Sequence, residues 1–76
     1  MKNAVLDSEL VNLAARFRKE AGKSRAQAAR EMGVSQTSIF HAEESPQESL
    51  ARLRIRLIEA YSPYRVTGPL YLLRRK

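Results

Sequence analysis

The residues best equipped for chemistry lie in one short stretch, Gln36-Thr37-Ser38-Ile39-Phe40-His41, and their types allow recognition rather than bond making. Gln36 carries an amide that donates and accepts at once, matching the N6 and N7 edge of adenine in the major groove. Thr37 offers a hydroxyl and a methyl, suited to a phosphate or to a thymine methyl. His41, one turn beyond Thr37, can donate to guanine or to a phosphate, and Phe40 either presses on thymine methyls or plugs the core. Bond-making chemistry has less to work with. The chain has one His and no Cys, no Gly-rich phosphate loop, and scattered acidic residues, so enzymatic activity is not expected. His41 alone cannot recruit a metal's ligand set, and no metal or other cofactor is expected.

These side chains need a helix, and the flanking sequence supplies one with a partner. Ser24 can cap a helix over 25–32, and Gln27 three residues on can close a capping box. Ser35 opens a second helix over 36–44. Between them Gly33 can adopt a left-handed conformation, so Met32-Gly33-Val34 turns sharply. Ala28, Ala29, Met32, Val34, Ile39 and Ala42 then face inward, and the small Ala29 lets the two backbones approach. Gln36, Thr37, Ser38, Phe40 and His41 are left pointing out.

A first helix is expected from Asp7 or Ser8 to Ala21, burying Leu10, Leu13, Ala14, Phe17 and Ala21 at helical spacing and ending at Gly22. Residues 1–7 read as a short mobile arm. Ser45-Pro46-Gln47-Glu48 has a cap, a Pro at the first helical position and a Glu three residues past the cap, the strongest helix start in the chain. That fourth helix is expected to reach Tyr61, burying Leu50, Leu53, Leu57, Ile58 and Tyr61 while Arg52, Arg54, Arg56 and Glu59 stay wet. Pro63 forbids its continuation. The tail from residue 62 changes character: Tyr64, Val66, Leu70, Tyr71, Leu72 and Leu73 favour strands, with Thr67-Gly68-Pro69 as an interruption. A short hairpin or a broken extended strand fits, packed on the helices or paired with the same segment of a second chain, which makes those six residues a candidate dimerisation segment. The fold expected is all-α, four helices with a short extended or hairpin tail, in a single domain over 1–76.

Composition narrows the setting. At 76 residues the chain buries little surface and needs help from caps, a partner or a ligand. Without Cys no disulfide supplies it, and a reducing cytoplasm is the expected location. No apolar run approaches a membrane span and the N-terminus lacks a signal-peptide core, so a soluble protein without membrane association is expected. A net charge of +6, from 14 Lys and Arg against 8 Asp and Glu, gives a polyanion partner a physical basis.

From about Glu9 to Tyr61 the chain resembles the XRE family, the lambda-repressor and Cro class of helix-turn-helix regulators. That family has an Ala four residues before the turn Gly, a Val-Ser after it, an Ile six residues after it and a Glu ten after it, and Ala29, Gly33, Val34-Ser35, Ile39 and Glu43 satisfy each. Arg18 falls where family members often carry an Arg that pairs with that Glu, so the resemblance implies an Arg18–Glu43 bridge. It also implies a lambda-repressor-like domain with helix-turn-helix over 24–44, and base contact from the positions of Gln36, Thr37 and His41, that of Phe40 varying more. The chain departs from the pattern at Arg25, where the family favours Gln, at Ala28 and Ala42, where it favours Leu, and at Ser45, where it favours Gly.

Backbone anchors are expected around the second helix of the pair. Arg25 sits in the first turn of the preceding helix beside free amides, with Lys23, Ser24, Ser35 and Ser38 as neighbours. Ser24 and Ser35 serve equally well as caps alone, and Gln36, Thr37 and His41 as ordinary surface residues. Two functional readings follow: a homodimeric transcriptional regulator, a repressor, on a palindromic operator in double-stranded DNA, or a protein-binding module such as an antitoxin or phage accessory protein whose tail docks a protein partner.

Overall fold

The computed structural model describes Asn3–Ala4, residues 7–67 and residues 71–76. Four helices and three short strands follow in the order β1 (Asn3–Ala4), α1 (Asp7–Glu20), α2 (Arg25–Met32), α3 (Gln36–Glu44), α4 (Ala51–Tyr61), β2 (Tyr64–Thr67) and β3 (Leu72–Arg75). The described part is mostly helical, and no helix in it is long and apolar enough to cross a membrane.

Local chemistry sets the first three helices. Gly22 and Gly33 both take a left-handed φ, +73° and +71°, and each closes the helix before it with paired backbone bonds. The Gly22 and Lys23 amides donate to Lys19 O and Arg18 O, and the Gly33 and Val34 amides to Arg30 O and Ala29 O. This double closure satisfies carbonyls that the helix end leaves open, and a side chain at such a φ is disfavoured by about 1 kcal/mol. Ser24 caps α2 in the expected box: its Oγ accepts from the Gln27 amide at 3.1 Å and its own amide donates to Gln27 Oε1 at 2.9 Å. Ser35 caps α3 by accepting from the Ser38 amide at 3.1 Å.

The fourth helix departs from expectation. Residues 45–50 form turns, and α4 begins only at Ala51, behind Leu50, which offers no side-chain cap. Arg54 is the reason. Far from staying wet, it is 1% exposed, and its guanidinium donates to three main-chain carbonyls: Nε to Ala42 O at 2.9 Å, Nη1 to Glu48 O at 3.1 Å and Nη2 to Ser45 O at 2.7 Å. A helix begun at Pro46 would turn the Ser45 and Glu48 carbonyls along its own axis. The 45–50 segment instead folds over a buried cation that meets no carboxylate among the described residues, and the negative end of the α3 dipole adds to its stabilisation. Glu59 is also not simply wet, since its carboxylate accepts from the Val66 amide at 3.0 Å. Arg56 stays exposed yet donates to Met32 O at 2.6 Å, bonding α4 to the end of α2.

The tail forms the hairpin, and residues 3–4, expected to be part of a mobile arm, add a strand. The sheet order is β1-β3-β2, both pairings antiparallel, with Ala4 opposite Leu72 and Val66 opposite Leu73. Alternation along the pleat sends Val66 and Leu73 into the core and leaves Arg65 and Arg74 outside. Val66 and Leu73 are therefore core residues of this chain and not a dimerisation surface; Tyr64 and Tyr71 pack half-buried against that core, Leu72 is half-buried opposite Thr67 on the other face of the hairpin, and Leu70 lies outside the described residues. The outward edge of β2 is also occupied. Tyr64 N donates to Ser62 Oγ and Val66 N to Glu59 Oε2, so two successive edge amides are engaged by side chains instead of waiting for another strand.

One cluster unites Leu10, Ala14, Phe17, Ala28, Ala29, Ile39, Ala42, Leu53, Leu57 and Ile58 with Val66 and Leu73. The hairpin thus supplies bulk to a core whose α2 and α3 contribute small alanines. Ala21, expected inside, is exposed because α1 stops one residue before it, and Val11 is buried without having been expected to be. Tyr61 ties the end of α4 back to α2 through its hydroxyl on Glu31 Oε1 at 2.5 Å; burial, and then that bond, push the phenol up to about 12.

Replacing Arg54 by Met keeps the length but strands three carbonyls, which should cost about 3 kcal/mol or more. Thermal melting should show a loss of roughly 10 °C or more, with faster proteolysis within 45–50; a melting point within a degree or two of wild type would show that the carbonyls find water without cost.

Candidate nucleic-acid interface

A buried carboxylate holds α3 in place. Glu43, whose side chain is 0% exposed, accepts from Arg18 Nε at 2.5 Å and from Arg18 Nη2 at 2.9 Å, a two-pronged pairing from α1. Arg18 also donates from Nη1 to Lys23 O at 2.7 Å, which fixes the turn into α2. The bridge implied by the family resemblance is thus present in the structure, with a further member. Arg25, from the first turn of α2, donates to Glu43 Oε1 at 3.0 Å and to Glu44 Oε2 at 2.7 Å. Burial alone pushes the Glu43 carboxyl up, but hydrogen bonds from Arg18 and then Arg25 outweigh it and hold the group below the ordinary carboxylate range. The Arg25 guanidinium is raised, chiefly by its bond to Glu43.

With its C-terminal end clamped, α3 presents its other half outward. Gln36 and Thr37 are exposed, and Phe40 is the one large hydrophobic residue among the described ones that is exposed, at 45%. It is not a core plug. The Arg25 guanidinium lies 5.1 Å from the Phe40 ring centroid, and His41 packs edge-on against the same ring at 5.6 Å. His41 is half-buried, its Nδ1 3.3 Å from Ser45 Oγ. Gln36, Thr37 and Phe40 therefore share an open face, with His41 recessed behind Phe40.

The expected backbone anchors are distributed around this face with their polar groups partly engaged. Ser24 and Ser35 are exposed caps, and Ser38, half-buried, shares its hydroxyl with Ser35 at 3.0 Å. Lys23 pairs with Glu31 at 3.0 Å. Arg25 is drawn across to the acids at the end of α3, so a phosphate at this point would compete with Glu44 for its guanidinium. That network was missed in the sequence because Arg25 is 18 residues from Glu43, and neither propensity nor period links them. The Glu43-Glu44 pair opposite two arginines was the available signal. Among the described residues no group of three or more His, Asp or Glu is gathered as a metal site would require.

Compared with protein-family models, curated proteins and solved structures, the chain matches none.

The depressed Glu43 carboxyl makes the clamp acid-sensitive. Its contribution to stability is present above the unfolded value near pH 4.5 and is lost as pH falls through the lower folded value. Glu43→Gln should lower stability at neutral pH by about 3 kcal/mol, because Arg18 is left buried without its counter-ion. The same variant should flatten the decline of melting temperature below pH 4.5. Melting curves from pH 7 to pH 3 check both, and an acid limb as steep as that of wild type would exclude Glu43 as its source.

Proposed function

We propose that the chain is a non-enzymatic, sequence-specific binder of double-stranded DNA, of the lambda-repressor and Cro helix-turn-helix kind, and acts as a transcriptional regulator. The observation that carries this reading is the open face of Gln36, Thr37 and Phe40 on the N-terminal half of a helix whose other end is held by a buried carboxylate. A reading helix enters the major groove by that half, where its free amides favour phosphate and its side chains reach base edges. Gln36 takes adenine through its paired donor and acceptor, Thr37 a thymine methyl or a phosphate, and Phe40 the methyls beyond. His41 reaches guanine or a phosphate from behind Phe40. Ser24, Ser35, Ser38, Lys23 and Arg25 fix the register on the backbone. The mode proposed is repression by occupying a promoter, as a cytoplasmic homodimer on a palindrome.

One observation favours the protein-binding alternative. An open groove of about 630 Å³ runs between the start of α3 and α4, floored by Val34, Leu50, Leu53 and Ile55 and rimmed by Arg52 and Arg56. Its apolar floor suits a partner's side chains better than a nucleic acid.

Selection of bound sequences from random duplexes separates the two readings: a palindromic consensus is expected, and recovery of no preferred sequence would refute the DNA-reading role. In the same assay Gln36→Ala should relax preference at a single base pair per half-site by about 1–3 kcal/mol. Arg25→Ala should weaken all sequences alike and flatten the dependence on salt.

A further inference from the structure

The hairpin carries a charge arrangement that the fold does not require. Arg65 of β2 stands directly opposite Arg74 of β3, and both are exposed on the outer face of the sheet. Among the described residues neither has an acidic partner or a hydrogen-bonded acceptor. Like charges at directly opposed positions of an antiparallel pair repel, their Cβ atoms lying about 5 Å apart. The register cannot slip to relieve them. Val66 and Leu73, the neighbouring pair, are buried in the core, and the Lys76 amide donates to Pro63 O at 2.9 Å at the far end of the ladder.

The surroundings sharpen the charge. Arg65 and Arg74 line a hollow of about 230 Å³ with Thr67, Arg75 and Lys76, and neither an apolar nor an acidic residue lines it. Lys76 is engaged elsewhere, its Nζ on the carbonyls of Glu59 and Ser62 at the end of α4, and Thr67 Oγ1 donates to Leu72 O at 3.4 Å. Arg75 stacks 5.9 Å from the Tyr64 ring centroid at the rim. Glu59, the acid on the adjoining helix, has turned its carboxylate to the Val66 amide at the β2 edge. The two opposed guanidiniums are left to share whatever anion enters.

We propose that the outer face of the β2–β3 hairpin is a second phosphate-binding surface, in which Arg65 and Arg74 together grip the backbone of duplex DNA. A phosphodiester between two guanidinium forks converts their repulsion into charge-assisted hydrogen bonds. Duplex DNA presents such groups densely, about one charge per 1.7 Å of axis. An acidic protein fits less well, because the hollow has none of the apolar or aromatic anchors on which protein interfaces depend. The hairpin is packed on α4 and, through Tyr64 against Phe17, on α1, so this surface is built separately from the face of α3. It adds affinity without base preference. The inference rests on duplex DNA being the partner, but not on α3 reading bases.

Fluorescence anisotropy on a labelled duplex across a salt series tests it, with Arg65→Gln/Arg74→Gln, Arg65→Lys/Arg74→Lys and Gln36→Ala side by side. The glutamine pair should make the slope of log affinity against log salt shallower by about 1–2, and the lysine pair should restore it. The glutamine pair should also melt no lower than wild type, since it removes a repulsion; single Arg65→Gln should show half the slope change and guards against a folding artefact. Gln36→Ala should alter sequence preference and leave the slope intact. If Gln36→Ala changes nothing while the glutamine pair flattens the slope, the reading of α3 fails and the hairpin surface stands. A slope unchanged by the glutamine pair overturns the proposal, and if poly-glutamate binding falls in that same variant the face belongs to an acidic protein.

Discussion

The carboxylate of Glu43 sits where three helices meet, and the placement of the exposed α3 face depends on its being there. A buried charge is tolerated only when its partners replace the water it has lost. Here they come from α1 and α2: Arg18 closes on both oxygens, and Arg25 shares one of them. Because those arginines begin on different helices, the carboxylate fixes not one contact but the mutual placement of α1, α2 and α3. Arg18 extends the constraint by binding Lys23 O, which sets the residue just before the α2 cap. The orientation of Gln36 and Thr37 is thus determined at the opposite end of their own helix, two turns away.

Arg54 performs the corresponding task for α4 by a different route. Among the described residues it meets no carboxylate; the carbonyls of Ala42 in α3 and of Ser45 and Glu48 beyond it surround the guanidinium, and the last two lie outside helical geometry. Glu43 and Arg54 both act at the α3 terminus, one bonding back to α1 and the other receiving the chain that leaves for α4. A domain of this size has a small core, and the satisfied buried ions Arg18, Glu43 and Arg54 constrain it more narrowly than its alanines can.

The legible part of this fold was local. Caps at Ser24 and Ser35, the two glycine closures and the apolar spacing of α1 are short-range signals, and α2 and α3 fall where those signals put them. The misreading at Ser45 has the same origin. Its sequence is a strong helix start by every local rule, and the bonds that Arg54 makes back to Ser45 and Glu48, from within the next helix, override it. Arg54 was read with Arg52 and Arg56 as part of a wet face, although it alone of the three stands four residues after Leu50 and four before Ile58, on the apolar stripe of the helix. Strand β1 was invisible for a related reason, since two residues become a strand only once β3 lies beside them. The Arg18–Glu43 pairing was legible through family likeness; Arg25, which departs from that likeness, was placed on the outer surface when its nearest acids were on α3.

Net charge locates nothing by itself, because the cations in this chain do different work. Arg16, Arg18, Lys23 and Arg25 are paired with acids, while Arg54, Arg56 and Lys76 bind main-chain carbonyls. The excess that reaches solvent is narrower than a count of residues suggests. It is carried by Lys19, Arg30, Arg52, Arg65, Arg74 and Arg75, exposed positions on α1, α2, α4, β2 and β3. Lys19, Arg30 and Arg52 are set singly on helices, where a cation is solvated at little cost or, at a helix end, favoured by the dipole. Arg65 and Arg74 differ because sheet register forces them together, and no rotation of the strand can separate them while Val66 and Leu73 stay buried. Core packing on one face of the hairpin therefore fixes the electrostatics of the other.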